Sequence, residues 1–368
     1  MNFRVFAMER WQSTYEHAVE YNLSESGVHP ATLADIGIDP QELAAIRLGY
    51  SASNGTERFR SLAASLQNDA SAENVLVTIG GIEANFHAVA RLISPGDEAL
   101  LLLPNYMQIH GLVESLGGRV IPVWNRLENN WIPDPDEIAK KITSKTKFIS
   151  LSNPNNPSAA VFGSDVIKAI ASVADKHGCW ILSDEVYRGA ERNGQITPSF
   201  WEHYPKTIVT QSLSKAYGTP GLRLGWLLGP KDIIQDFWAQ SDYTKIAPPS
   251  ISDFIGCRVL ENREKLFART RKLMNQNWPN LKAWLDRRGE MFTYMEPKAA
   301  AICMVRYNHR INSTVLAERL RTEKSTLIVS GDQFGLDGYI RFGFGTEADY
   351  MAAGLARVGE ALDSVATD

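Results

Sequence analysis

Short runs of apolar and β-branched residues recur at 75–79, 99–103, 120–123, 148–151, 180–183, 208–211 and 224–228. Between them lie amphipathic stretches, of which 81–93 and 165–177 carry the 3.6-residue period of a helix with one buried face. Continuous apolar strands alternating with helices predict an α/β fold whose mostly parallel central sheet is flanked by helices. Pro95-Gly96-Asp97 marks a turn into the second strand. From about Pro248 the pattern changes to a long charged amphipathic run through Arg263, Lys272 and Arg287, then short strands and a last helix near 350–362. These shifts divide the chain into an N-terminal segment (1–40) associated with the small domain and active site, a large domain (41–250) and a smaller C-terminal α/β domain (251–368). No repeat, low-complexity tract or long linker interrupts them, which implies one rigid interface between the two domains.

Composition adds exclusions. With 44% hydrophobic and 22% charged residues, a chain of 368 residues can bury one large core and a satellite. A formal net charge of -4 offers no general attraction to nucleic acid or anionic lipid, so a small-molecule partner held by a local basic site is expected. Cys179, Cys257 and Cys303 lack paired spacing, which argues against a disulfide framework or zinc site and predicts three buried thiols in a reducing compartment. The first ten residues carry charges where a signal peptide needs apolar ones, and the runs 99–103 and 299–305 fall far short of the ~20 residues of a spanning helix. A cytoplasmic protein without membrane, nucleic-acid or metal partners is the expectation.

In open α/β sheets ligands collect beyond the carboxyl ends of the strands. After the first strand, Gly80-Gly81-Ile82-Glu83-Ala84 opens a helix whose free N–H groups suit a phosphate, although a plain tight turn would read the same. After the fourth comes Asn153-Pro154-Asn155-Asn156-Pro157, either a loop closure or a rigid turn whose amides can donate to an oxyanion. After the fifth, Ser183-Asp184-Glu185-Val186-Tyr187 sets a carboxylate behind an apolar strand, where burial demands a cationic partner such as a protonated pyridine. The sixth leads to Ser212-Leu213-Ser214-Lys215-Ala216-Tyr217 and Gly221-Leu222-Arg223-Leu224-Gly225. There an amine could form a Schiff base beside hydroxyls and a guanidinium suited to a phosphate. Alone, Lys215 would read as a solvated surface lysine.

In their order and approximate spacing these segments resemble the motif set of the class I/II aminotransferases, fold type I of the pyridoxal-phosphate (PLP) enzymes, over residues 50–345. The resemblance implies that Lys215 holds PLP as a Schiff base and that Asp184 keeps the pyridine nitrogen protonated, making the ring an electron sink. It gives Asn156 and Tyr187 to the ring's phenolic oxygen, and Gly81, Ile82, Ser212, Ser214 and Arg223 to the phosphate. Tyr106 would stack on the cofactor face, though a tyrosine after a strand also serves simple packing. Tyr50 resembles the tyrosine that reaches the phosphate of a neighbouring subunit, which implies a homodimer with shared active sites. Arg341, in Tyr339-Ile340-Arg341-Phe342-Gly343, matches the arginine that grips the substrate carboxylate in a two-pronged contact.

Two departures bear on the reaction. The family's Asn-Pro-x-Asn-Pro-Thr-Gly continues here as Ser158-Ala159-Ala160, which puts the loop shape in question, and its N-terminal Gly-x-Pro-x-Phe is replaced by Leu23-Ser24-Glu25-Ser26-Gly27-Val28-His29-Pro30. With Met8-Glu9-Arg10-Trp11, that segment is similar to the opening of capreomycidine-synthase-like and enduracididine-forming enzymes, which are cyclases of hydroxyarginine. This similarity implies elimination or cyclisation of a guanidine-bearing amino acid, with Glu9, Ser26, Gly27, Asn156 and Arg341 around the substrate. Glu9 could pair with a guanidinium or act as a base, or be a solvated charge beside Arg10. His29 could donate a proton to a departing hydroxyl or merely cap a turn; Ser24 and Asn105 could also touch substrate. Transamination with a 2-keto acid is the alternative, oxygen-dependent arginine oxidation a third. A non-catalytic PLP-binding regulator is disfavoured, because no basic DNA-binding segment precedes Tyr50.

Overall fold

A computed structural model of the chain describes residues 3–365; residues 1–2 and 366–368, the outer ends of the expected terminal units, lie outside it. From the N terminus run helix α1 (Ala7–Tyr15), strands β1 (Tyr21–Asn22) and β2 (Val75–Thr78), and helix α2 (Gly80–Leu92). Strands β3 (Glu98–Leu103), β4 (Arg119–Trp124) and β5 (Thr146–Ser152) follow, then α3 (Ser164–His177), β6 (Trp180–Asp184), β7 (Thr207–Ser212) and β8 (Gly225–Leu228). The last third holds α4 (Arg263–Asp286), β9 (Phe292–Tyr294), β10 (Ile302–Tyr307), β11 (Thr326–Leu327), β12 (Val329–Ser330), β13 (Tyr339–Gly343) and α5 (Ala348–Val365).

The seven strand runs read from the sequence form one sheet, in the order β2-β8-β7-β6-β5-β3-β4. Its apolar strands alternate sides. Leu101, Phe148, Leu182 and Ile208 pack with Ala84, Ala88 and Val89 of α2, while Leu100, Leu102, Ile149 and Ile181 pack with Ile167, Ile170 and Ala174 of α3. A strand buried on both faces must be apolar at successive positions, which is why these runs show no alternation. All strands run parallel except β8, antiparallel to both β2 and β7. The connection from β7 to β8 contains a 3₁₀ turn (Pro220–Leu222) and no crossover helix, so the chain doubles back instead of re-entering in parallel.

The second sheet is antiparallel, ordered β12-β13-β10-β9. The N-terminal segment is tied to the same part of the molecule. Strand β1 pairs in parallel with β11, Tyr21 opposite Thr326, and Trp11 Nε1 donates to the Ile328 carbonyl at 3.0 Å. Cys179, Cys257 and Cys303 are free and buried. Among the described residues no helix is long and apolar enough to cross a membrane.

Candidate active site

The carboxyl ends of β5, β6 and β7 and the first turn of α2 open into a cavity of about 390 Å³. Gly81, Ile82, Tyr106, Asn156, Asp184, Tyr187, Ser212, Ser214, Lys215 and Arg223 line it, and Glu9 and Ser26 join them from the N-terminal segment. The backbone N–H of Gly27 donates to Glu25 Oε1 at 2.8 Å just beside this wall.

One end of the cavity is built for an anion. Gly80 stands at φ 74°, and a Cβ there would lie 2.7 Å from Arg223 Nη2, so the guanidinium lies flush on the start of α2 only because position 80 is glycine. Arg223 Nη1 reaches Ser214 Oγ at 3.4 Å, and the Ser212 hydroxyl donates to Ser214 Oγ at 2.8 Å. A helix N-terminus, two hydroxyls and a guanidinium together make a phosphate cradle.

The acid lies elsewhere on the wall. Asp184 is buried, accepts from the Val186 N–H at 3.2 Å and the Asn85 amide at 3.3 Å, and makes no ion pair among the described residues. Burial pushes its pKa up to about 6 against those donors. Asn85 is itself held by the Thr210 hydroxyl, at 2.9 Å from Oδ1. A buried carboxylate served only by neutral donors is a ready partner for a ligand cation such as a pyridinium. Lys215 Nζ donates to Glu25 Oε1 at 3.0 Å. Burial pushes the lysine pKa down, but Glu25 and Tyr187 together more than offset this and the net shift is upward. Lys215 in turn holds the Glu25 carboxyl down to about 2. Phosphate cradle, unneutralised acid and amine on one cavity wall fit PLP.

Arg341 lies behind the wall, not in it. It is buried, donating through Nη1 to Asn156 Oδ1 at 2.8 Å and through Nη2 to the Ser24 carbonyl at 2.5 Å, over the Phe334 ring at 5.5 Å. Its Nε is buried and unpartnered among the described residues, one donor left for an incoming oxygen. The Tyr106 hydroxyl donates to Glu9 Oε1 at 2.7 Å, with Phe6 edge-on to its ring at 5.0 Å. Burial and then the Glu9 charge raise the Tyr106 pKa, so it remains a donor. The Tyr187 hydroxyl meets that of Ser26. Besides Arg341, four residues read from the sequence stand apart from the cavity, the first being Ser24, whose hydroxyl donates to Asn22 Oδ1 at 2.7 Å. Tyr50 is 88% exposed, His29 is exposed and bound through its backbone to Gly345, and Asn105 turns its side chain onto the Tyr106 N–H.

Sequence reasoning missed Glu25, Asn85, Gln12, Ser13 and Glu16, all of which line the cavity. Residues 9, 12, 13 and 16 follow i, i+3, i+4, i+7 spacing, so one face of α1 and its C-cap looks into the site. Asn85 had its own signal, a polar residue amid the buried apolar stripe of α2.

Known proteins carry the same framework. The family model for aminotransferase class I and II matches residues 33–358. An aspartate/prephenate aminotransferase of Thermus thermophilus is 28% identical over 307 residues, covering 79% of this chain and 76% of its own. Capreomycidine synthase of Streptomyces vinaceus is 25% identical over 361 residues, covering 96% of this chain and 93% of its own. The crystal structure of a PLP-dependent aminotransferase from Streptococcus suis superposes with a TM-score of 0.93 over 99% of both chains, at 28% identity.

Proposed function

The chain belongs to the aminotransferase class I and II family of PLP-dependent enzymes, and within it we propose a cyclase that eliminates the hydroxyl of a hydroxyarginine and closes its guanidine into a ring, as in capreomycidine- or enduracididine-type products. The observation that carries this reading is the charge on the cavity wall facing the strand ends, where Glu9 and Glu16 line the site in addition to the Glu25 already paired with Lys215. A dicarboxylic substrate would meet like charge there; a guanidinium meets carboxylates suited to a planar, two-pronged contact. The likeness to capreomycidine synthase, over 96% of this chain, supports it.

When bound, PLP supplies an electron sink that makes the α-proton removable and the side-chain hydroxyl expellable. Gly81, Ile82, Ser212, Ser214 and Arg223 hold its phosphate, Asp184 its ring nitrogen, Asn156 and Tyr187 its phenolic oxygen, and Tyr106 covers a face. Lys215 would link it, and its Nζ would take the α-proton and return one to the product. Arg341, fixed behind the wall by Asn156 and Ser24, offers its one spare donor, Nε, to the substrate carboxylate, and Gly27 and Ser26 bound the site on the side of residues 23–29. Glu9, held by the Tyr106 hydroxyl, orients the guanidinium and accepts the proton its attacking nitrogen releases. One C–O bond breaks, one C–N bond forms, and the hydroxyl leaves as water, its proton balanced by the one that the attacking nitrogen gives up to Glu9. Tyr50, exposed on its own subunit, serves the phosphate of a second copy in a homodimer with shared sites.

The aspartate/prephenate relative favours transamination as the second reading. Purified enzyme incubated with 3- or 4-hydroxyarginine and no keto acid should yield a cyclic product of substrate mass less water. Turnover that begins only on adding a keto acid sinks the cyclase and favours transamination; peroxide release marks an oxidase.

A further inference from the structure

We propose that Glu25 is the charge partner of the Lys215 amine, fixing Nζ in the site and stabilising the ammonium formed each time that nitrogen takes up a proton. The proposal rests on the reading of Lys215 as the amine that links the cofactor.

Glu25 Oε1 sits 3.0 Å from Nζ and also accepts the backbone N–H groups of Ser26 at 2.9 Å and Gly27 at 2.8 Å. Three donors converge on one oxygen, two of them from the residue's own chain, so the carboxylate cannot swing away without losing backbone bonds. The backbone that carries it is equally constrained. Gly343 N–H donates to the Leu23 carbonyl at 2.7 Å and His29 N–H to the Gly345 carbonyl at 2.6 Å. A Cβ at Gly343 would lie 2.0 Å from the Glu25 carbonyl oxygen, and one at Gly345 2.2 Å from that of Gly27. Two glycines, the last residue of β13 and one two positions beyond it, thus let residues 23–29 lie directly on the sheet end, with Glu25 aimed at the lysine.

Other charged or titratable groups act on Nζ, namely Tyr187, Arg341 and Asp184. Arg341 opposes an ammonium there, while Glu25 alone is in ion-pair contact among the described residues. When Nζ removes a substrate α-proton, the C–H bond breaks, an N–H bond forms and the electron pair stays with the substrate. The new positive charge then appears beside a fixed negative one, not as a lone cation, although the half-buried lysine and exposed glutamate leave the pair partly screened by water. Lys215 keeps Glu25 ionised far below neutrality, so the partner is charged throughout.

The test uses the full-length protein freed of cofactor, with pyridoxal phosphate as the probe and its rate of capture followed by absorbance across pH. Only the neutral amine attacks the aldehyde, so the midpoint of the rate profile reports the acidity of Nζ without any amino-acid substrate. Glu25→Gln should move that midpoint down by about one pH unit or more, quickening capture near neutrality about tenfold. It should also slow turnover of the loaded enzyme by about tenfold or more on whichever amino acid proves to be the substrate. Faster loading with slower turnover is a split that a merely structural residue does not give, and Glu25→Asp should restore part of both. Should Glu25→Gln fail to fold, Glu25→Ser, which can still take the amide donors, carries the same expectation. A midpoint unchanged in the neutral variant overturns the proposal. Wild type capturing no faster than Lys215→Ala would instead overturn the reading of the lysine.

Discussion

Two halves of the site are held in place by different means. The strand-end half, from Gly81 to Arg223, is carried by residues next to buried strands, and its shape follows from a sheet with apolar clusters on both faces. The half made of α1 and the strap at 23–29 reaches the core through only a few apolar side chains, chiefly Met8, Leu23 and Val28. It depends on bonds to residues some three hundred positions away, Trp11 to Ile328, Arg341 to Ser24 and Gly343 to Leu23. The first half carries the family's motif residues; the second carries the carboxylates that, in the reading proposed above, set what enters. Separating them lets the choice of substrate change without disturbing the cofactor platform.

The largest expected effect tests that separation. Gly343→Ala drives a methyl onto the Glu25 carbonyl, a backbone atom that can yield only if the strap shifts. Overpacking of this kind should cost about 3 kcal/mol in denaturant unfolding. A strap displaced by about 1 Å should lower kcat about a hundredfold. Because the strand ends are untouched, the protein should still bind PLP and show its colour. Loss of colour together with turnover would show that the two halves fold as one unit.

A smaller effect of opposite sign belongs to the strand-end half. Asp184 titrates near pH 6 in the folded, cofactor-free protein, above its ordinary carboxylate range, because burial disfavours its charge. A raised acid binds its proton more tightly folded than unfolded, so its contribution is fully present below about pH 4 and lost as pH rises through 6. That loss amounts to on the order of 2 to 3 kcal/mol at neutral pH. Asp184→Asn should therefore leave the cofactor-free protein more stable than wild type at pH 7 and level with it at pH 4, while abolishing turnover. Unfolding curves at the two pH values check this; equal stability at pH 7 would mean that another cation already neutralises the acid.

The same division decides what could be read in advance. The large-sheet strands were legible because burial writes itself locally as apolar runs, on both faces in six of them and only partly in the edge strand β4, and Asp184, Asn156 and Lys215 close those runs or follow within a few residues. The reversed β8 was not, since a strand's direction depends on whether its connection holds a helix. Glu25 was also passed over. Nothing near it in the chain marks it, and its meaning comes from a lysine 190 residues away. Glu16 was missed because a nine-residue helix tied down by distant contacts has a weak apolar stripe to orient it.

The smallest effect concerns the loop where the chain departs from its family's glycine. Ala159 stands at φ 57°, a left-handed conformation that costs a side-chain-bearing residue about 1 kcal/mol or more. Its methyl is buried against Tyr187, Ala300 and Ile302, which contributes about 0.8 kcal/mol in the other direction. The loop does not need residue 159 to hold its shape. Asn155 Oδ1 takes the Ser158 hydroxyl at 2.6 Å and N–H at 3.1 Å, Asn155 N–H reaches the Ala160 carbonyl at 2.9 Å, and Ala159 N–H reaches the Asn155 carbonyl at 2.9 Å. Ala159→Gly should therefore change unfolding free energy by less than about 1 kcal/mol, the two terms nearly cancelling. Activity should fall a few-fold at most, through a Tyr187 that has lost one packing neighbour. A loss beyond about 2 kcal/mol would mean that the methyl, not the asparagine bonds, keeps the loop closed, and that this stretch depends on packing as the strap does.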